Sequence, residues 1–153
     1  MRATEDTSRR LIEAVRALGL RSIISRGWGN LEPIDADTDC LAVGEISHER
    51  LFPRVAAIVH HGGAGTTTTA ARAGKPQVIV PHLYDQYYWA HRVEKLGIGV
   101  SGPQVAELTV EGLVSALRRC LEPQTVSQAR AITRRIEPHG ARIAAEQLVK
   151  ERE

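Results

Sequence analysis

Between residues 55 and 69 the chain changes character twice, and that change limits what it can fold into more than any other stretch. It reads Val-Ala-Ala-Ile-Val-His-His-Gly-Gly-Ala-Gly-Thr-Thr-Thr-Thr. The apolar, β-branched beginning predicts a buried strand. Glycines at 62, 63 and 65 then break the run, and the Thr- and Ala-rich continuation predicts a helix. Strand, glycine turn and helix together leave bare backbone N–H groups at a helix N-terminus, where they face an anion. The glycines let a phosphate approach the backbone closely, the threonines add hydroxyl donors in the first turn, and the His61 imidazole stands beside them. A tight β–α connection with nothing bound has the same local sequence, so the glycines alone leave both readings open.

The rest of the chain alternates helix and strand around this unit. Residues 4–18 carry Leu11, Ile12, Val15 and Leu18 on one helical face, with Gly19 as a stop. Short strands are predicted over 21–25, 40–43, 55–59, 77–80 and 98–100. Ser47 is placed to cap a short helix that Pro53 ends, and Gln86 to Leu96 reads as a helix with Trp89, Val93 and Leu96 inward. After Pro103 the pattern is helical to the end, with Thr109 capping the first of three segments. Repeated βα units with apolar strands predict an α/β fold, a Rossmann-like parallel sheet with helices on both faces, over one domain of 153 residues.

Ligands of such sheets bind beyond the carboxyl ends of the strands. The informative loops are therefore 26–30, 44–48, 61–66 and 81–86, and all four are expected on one edge. Their convergence favours the ligand-binding reading. His60 and His61 are adjacent on a strand end, so one can reach a ligand while the other packs in the sheet. Asp85 and Gln86 stand together at a helix start. Asp85 alone reads as an N-cap, whereas the pair suits the vicinal hydroxyls of a sugar, one accepting and the other donating and accepting. Tyr84, Tyr87, Tyr88 and Trp89, four of the six Phe, Tyr and Trp residues, fall here and are expected to pack under the loop, unless one of them lines a sugar pocket.

Composition excludes several classes. A formal charge of +2 with scattered basic residues gives no footprint for nucleic acid. Cys40 and Cys120 lie far apart with no CxxC, which indicates neither a zinc site nor a disulfide framework. No apolar run reaches membrane-spanning length and no signal-peptide pattern opens the chain, so a soluble, cytoplasmic protein is expected. The turn at 63–68 keeps only the first two glycines of the dinucleotide fingerprint, no GxxxxGK[ST] occurs, and residues 99–103 lack the last glycine of GxSxG.

Five segments together carry a resemblance: Ser25-Arg26-Gly27-Trp28-Gly29, Leu51-Phe52-Pro53-Arg54, His60-His61-Gly62-Gly63-Ala64-Gly65-Thr66-Thr67, Ala73-Gly74-Lys75-Pro76-Gln77 and Asp85-Gln86. In this order and spacing the chain resembles the C-terminal half of GT-B glycosyltransferases of the antibiotic and sterol type. That group includes vancomycin-pathway glycosyltransferases, sterol glucosyltransferases and, more remotely, UDP-glycosyltransferases of plants and animals. The resemblance implies a nucleotide-sugar donor domain for a UDP- or TDP-sugar. His61 and the backbone of Gly62, Gly63, Ala64, Gly65 and Thr66 would hold the diphosphate, and Asp85 and Gln86 the sugar hydroxyls. Trp28, Val43, Ile46 and Ser47 would flank the nucleobase and ribose. Transfer by an inverting route would need neither metal nor cofactor, the nucleotide sugar being the donor substrate.

The same resemblance implies what is not in the chain. Family members hold a lipophilic or natural-product acceptor, and usually a His or Asp base, in an N-terminal half that has no counterpart here. The first strand of the donor half is also unaccounted for, with Met1 matching the Met that ends its Gly-Ser-Met. The last helix would lack its partner, leaving an apolar surface that favours self-association or a separate acceptor subunit. Two classes of function therefore stand: the donor part of a glycosyltransferase, or a non-catalytic nucleotide-sugar-binding or interaction module.

Overall fold

The computed structural model describes residues 2–27, 31–137 and 139–150. A helix, α1 (Arg2–Arg16), leads into two short strands, β1 (Ser22–Ser25) and β2 (Cys40–Val43), and a one-turn helix, α2 (His48–Leu51). Then come β3 (Ile58–His60), α3 (Ala64–Arg72), β4 (Gln77–Ile79), α4 (Gln86–Lys95) and β5 (Gly99–Ser101). Three helices follow, α5 (Val110–Cys120), α6 (Pro123–Ile132) and α7 (Gly140–Lys150).

The core is built on β4, whose three residues are all buried. It pairs in parallel with β3 on one side and β5 on the other. Successive side chains of a strand face opposite ways, and β4 shows the result. Val78 and Val80 enter one cluster with Ala14 of α1 and Leu113, Ala116, Leu117 and Cys120 of α5. Ile79 enters another with Ala71 of α3, Ala90 and Val93 of α4, and Ala129 of α6. Helices thus cover both faces, as the run of apolar β-branched residues requires. The α5 residues at 113, 116, 117 and 120 recur with helical period, and the Thr109 hydroxyl caps the helix by accepting from Gly112 N at 3.0 Å. Burial pushes the Cys120 thiol up to about 12, which makes it an inert core residue.

One expectation needs correction. A single sheet was predicted, but the described strands form two parallel sheets, β1–β2 and β3–β4–β5. No ladder joins β1 to β3. The exposed faces of Ile23 on β1 and Leu41 on β2 go with this break. Arg16, at the end of α1, anchors the loop before β2 by hydrogen bonds to Asp35 and Asp39 at 2.7–2.8 Å. Its guanidinium holds the Asp35 carboxyl down at about 2 and lowers that of Asp39.

Among the described residues no helix is long and apolar enough to cross a membrane. Every residue of α7 with a described side chain is at least partly exposed, Leu148 and Val149 largely so.

Candidate functional site

The predicted turn forms as β3 ends. Gly62 has φ +96°, and Gly63, at φ −62° and ψ 139°, is the extended residue from which α3 starts. A methyl group on Gly62 would stand 2.6 Å from Ile79 Cγ2 and 3.1 Å from the Gln86 carbonyl oxygen. The glycine turn therefore lies directly against the start of α4, and this contact brings the 61–66 and 82–86 loops together. The His61 and His82 rings meet edge to face with centroids 6.4 Å apart.

His60 and His61 divide as predicted. His61 is exposed and lies over Gly63, whose missing Cβ would stand 2.8 Å from His61 Nε2. His60 turns inward, its Nε2 2.8 Å from Gln77 Oε1 and its Nδ1 accepting from Gly62 N at 3.0 Å. Desolvation is the main reason its pKa falls, to about 4, against the hydrogen bond to Gln77, which raises it. His60 is therefore neutral at pH 7. His82 is also lowered, by desolvation and then by the charge of His61.

Two details of the expected anion cradle change. The Gly62 amide is spent on His60, so it shapes the turn, and the open donors are the amides of Gly63, Ala64, Gly65 and Thr66, which carry no hydrogen bond among the described residues. The hydroxyls of Thr67, Thr68 and Thr69 do not face an anion either. Each donates at 2.9 Å to the carbonyl four residues earlier, which leaves Thr66 as the hydroxyl of the first turn. A threonine in a helix has this back-bond open to it, and the sequence does not reveal the choice. No atom lies within 4 Å of a Cβ built on Gly65, so the space before the helix is open.

The second loop also differs from its simplest reading. Asp85 is exposed and precedes α4, but its side chain makes no cap hydrogen bond; Oδ2 accepts instead from Trp89 Nε1 at 3.1 Å. Gln86 fastens its own loop, with Oε1 accepting from His82 N at 2.8 Å and Leu83 N at 3.1 Å. Asp85 Oδ1 and the Gln86 Nε2 amide carry no hydrogen bond among the described residues. The tyrosines do not pack underneath: Tyr84 is 87 % exposed with φ +54°, and Tyr87 and Tyr88 are exposed too. Only Trp89 of the four reaches the core. His91 is on the exposed side of α4.

Of the residues expected around a nucleoside, Val43 ends β2 and accepts from Arg26 N, while Ile46 and Ser47 are exposed on the loop into α2. Ser47 begins α2 without a side-chain cap. α2 packs on α3, with Leu51 and Phe52 in a cluster with Ala70 and Ala73. Trp28 lies outside the described residues. The one group of three acidic side chains that the described residues gather, Asp35, Asp37 and Asp39, surrounds the Arg16 guanidinium. Sequence reasoning missed Gln77, a polar residue opening an otherwise apolar strand, and that anomaly was the available signal.

Comparisons with known proteins identify relatives of the chain. The chain is 48 % identical over 149 residues to the vancomycin aglycone glucosyltransferase of Amycolatopsis orientalis, covering 96 % of this chain and 36 % of that protein. It is 37 % identical over 129 residues to a sterol 3-beta-glucosyltransferase of Arabidopsis thaliana, covering 83 % of this chain and 21 % of that one. The crystal structure of the glycosyltransferase VinC in complex with DTDP superposes with a TM-score of 0.72 at 33 % identity, covering 85 % of this chain and 35 % of that one. The chain thus spans about a third or less of the length of these relatives. Its fold is that of the C-terminal half of a GT-B glycosyltransferase. The description "Erythromycin biosynthesis protein CIII-like, C-terminal domain" matches residues 34–148, most of the sequence, and the chain belongs to that family.

Proposed function

We propose that this chain is the donor half of a glycosyltransferase and holds a UDP- or TDP-linked sugar for transfer, by an inverting route, to a lipophilic or natural-product acceptor. The observation that carries the reading is the open N-terminus of α3, with four unpaired amides beside the exposed His61 and against the Asp85–Gln86 loop. The DTDP complex of VinC, a relative by structure, supports the same ligand class.

On this reading the amides of Gly63, Ala64, Gly65 and Thr66 and the His61 imidazole hold the diphosphate. Asp85 and Gln86 take sugar hydroxyls, and Trp28, Val43, Ile46 and Ser47 flank the nucleoside. As the bond from the anomeric carbon to the diphosphate oxygen breaks, its electron pair stays on the oxygen. Donors already aimed at that oxygen stabilise the transition state without reorganising. The helix terminus contributes about 0.3–1 kcal/mol when exposed and up to ~2 kcal/mol when partly buried. Acceptor binding and the base for its hydroxyl fall to a separate half or subunit. Those two functions supply much of the rate, a base alone about 10²–10⁴-fold.

Calorimetry with UDP and TDP tests the proposal. His61→Ala is expected to weaken binding of the diphosphate by about 1–3 kcal/mol, the cost of losing a hydrogen bond to a charged group. Equal affinities for the variant and the parent would remove His61 from the site.

A further inference from the structure

Gln77 is fully buried, with 0 % exposure, at the start of the central strand β4, where apolar residues stand on every following position. Burying an amide is costly unless both ends are bonded, and here both are. Gln77 Oε1 is 2.8 Å from His60 Nε2, and Gln77 Nε2 donates to the Thr67 carbonyl at 3.3 Å. His60 Nδ1 accepts from Gly62 N at 3.0 Å.

The direction of the whole chain follows from one fact, that a backbone amide only donates. Gly62 N–H fixes a lone pair on His60 Nδ1, which leaves the imidazole proton on Nε2. That proton can go only to an acceptor, so the Gln77 oxygen faces His60 and its NH₂ faces Thr67. Every link has a donor and an acceptor in the right place. Gly62 precedes the open amides and Thr67 follows them, so the chain Gly62–His60–Gln77–Thr67 closes a ring around residues 63–66.

We infer that Gln77 and His60 are positioning residues for the diphosphate: together they fix the Nε2–H tautomer of His60 and hold the two ends of the 63–66 turn at the spacing that aims its amides at one anion. The inference rests on the donor-site reading above. Neither residue touches the ligand. Gln77 acts through β4, and it links the most buried strand of the sheet to the glycine turn.

The test uses the full chain and two readouts. In the ligand-free protein, ¹⁵N-resolved imidazole spectra report the His60 tautomer; calorimetry with UDP and TDP reports affinity. The parent is expected to show Nε2–H with an unprotonated, hydrogen-bonded Nδ1. Gln77→Leu removes both links and is expected to weaken both nucleotides about tenfold in protein that remains folded. Gln77→Glu keeps the acceptor for His60 and removes the donor to Thr67. It is expected to retain the tautomer and lose affinity, and it carries the affinity test should the leucine variant not fold. An Nδ1–H tautomer in the parent, or parental affinity in a folded Gln77 variant, overturns the inference. Absence of nucleotide binding to a parent that has the expected tautomer overturns the donor-site reading and the positioning role with it, whereas binding with the other tautomer overturns the positioning role alone.

Discussion

Replacing Gly62 and Gly65 with alanine, one at a time, separates two roles that glycine plays within a four-residue motif. At Gly62 the φ of +96° is one that L residues rarely adopt, a cost of about 1–2 kcal/mol. The new methyl would also meet Ile79 Cγ2 at 2.6 Å and the Gln86 carbonyl at 3.1 Å. Ile79 is fully buried and Gln86 O belongs to the backbone, so neither yields easily, and overpacking of this kind costs about 1–3 kcal/mol. A stiffer unfolded chain returns about 0.4–1 kcal/mol, leaving a net destabilisation of about 1.5–4 kcal/mol against a total of about 5–15 kcal/mol. With a urea slope of about 2 kcal/mol/M, the middle of the usual range, the midpoint should fall by roughly 0.8–2 M. Gly65 is helical and has open space where the methyl would go. Gly65→Ala should gain up to about 1 kcal/mol from helix propensity while weakening UDP and TDP, because the methyl occupies the anion's approach. Urea unfolding followed by circular dichroism, with calorimetry on the same samples, reads both. A Gly62→Ala midpoint equal to the parent's, or equal destabilisation at both sites, would refute the argument.

Two other outcomes follow from the same geometry. Asp85→Asn should weaken a nucleotide sugar several-fold while leaving free UDP or TDP near parental affinity; a proportional loss of both would make Asp85 a support for Trp89 and the loop. His60 has a native pKa near 4, below the unfolded value of about 6.5. The unfolded state therefore binds the extra proton between these values. The stability that His60 contributes is complete above about pH 6.5 and is lost as the pH falls toward 4, by at most about 3 kcal/mol at 1.36 kcal/mol per unit. Urea midpoints between pH 7 and 4.5 measure this, and a His60→Gln chain that loses as much as the parent would acquit His60.

Much of the fold was legible because the signals were local. The strand Cys40–Val43 and the helix Gln86–Lys95 lie within a residue of their predicted bounds, and Thr109 caps α5 as its position implied. The glycine turn and its helix were legible for the same reason, since three glycines after an apolar run leave few conformations. What the sequence hid is relational. Thr67, Thr68 and Thr69 chose their own helix over a ligand, a choice of side-chain rotamer. Gly62 lost its amide to His60 because the inward histidine needed a donor. Tyr84, Tyr87 and Tyr88 stay exposed because the face beneath α4 is already filled by Ile79, Ala90, Val93 and Ile98. Pairing between strands is non-local, so the split into two sheets had no signature in any single segment.

The break between β1 and β3 gives the molecule two grades of resistance to opening. Strand β4 is paired on both sides and lies between helices on both faces, so its amides are exposed to solvent only when the whole core comes apart. The β1–β2 ribbon has one ladder, two free edges and exposed Ile23 and Leu41, the features of a unit that opens at small free-energy cost. The loops assigned to the nucleoside hang from the soft unit, and the glycine turn assigned to the diphosphate hangs from the hard one. A nucleotide lying across both would act as a staple. The diphosphate would dock on a surface already in place, and the base would find its pocket only as the ribbon settles, so recognition of the base would carry an ordering cost that recognition of the phosphates would not.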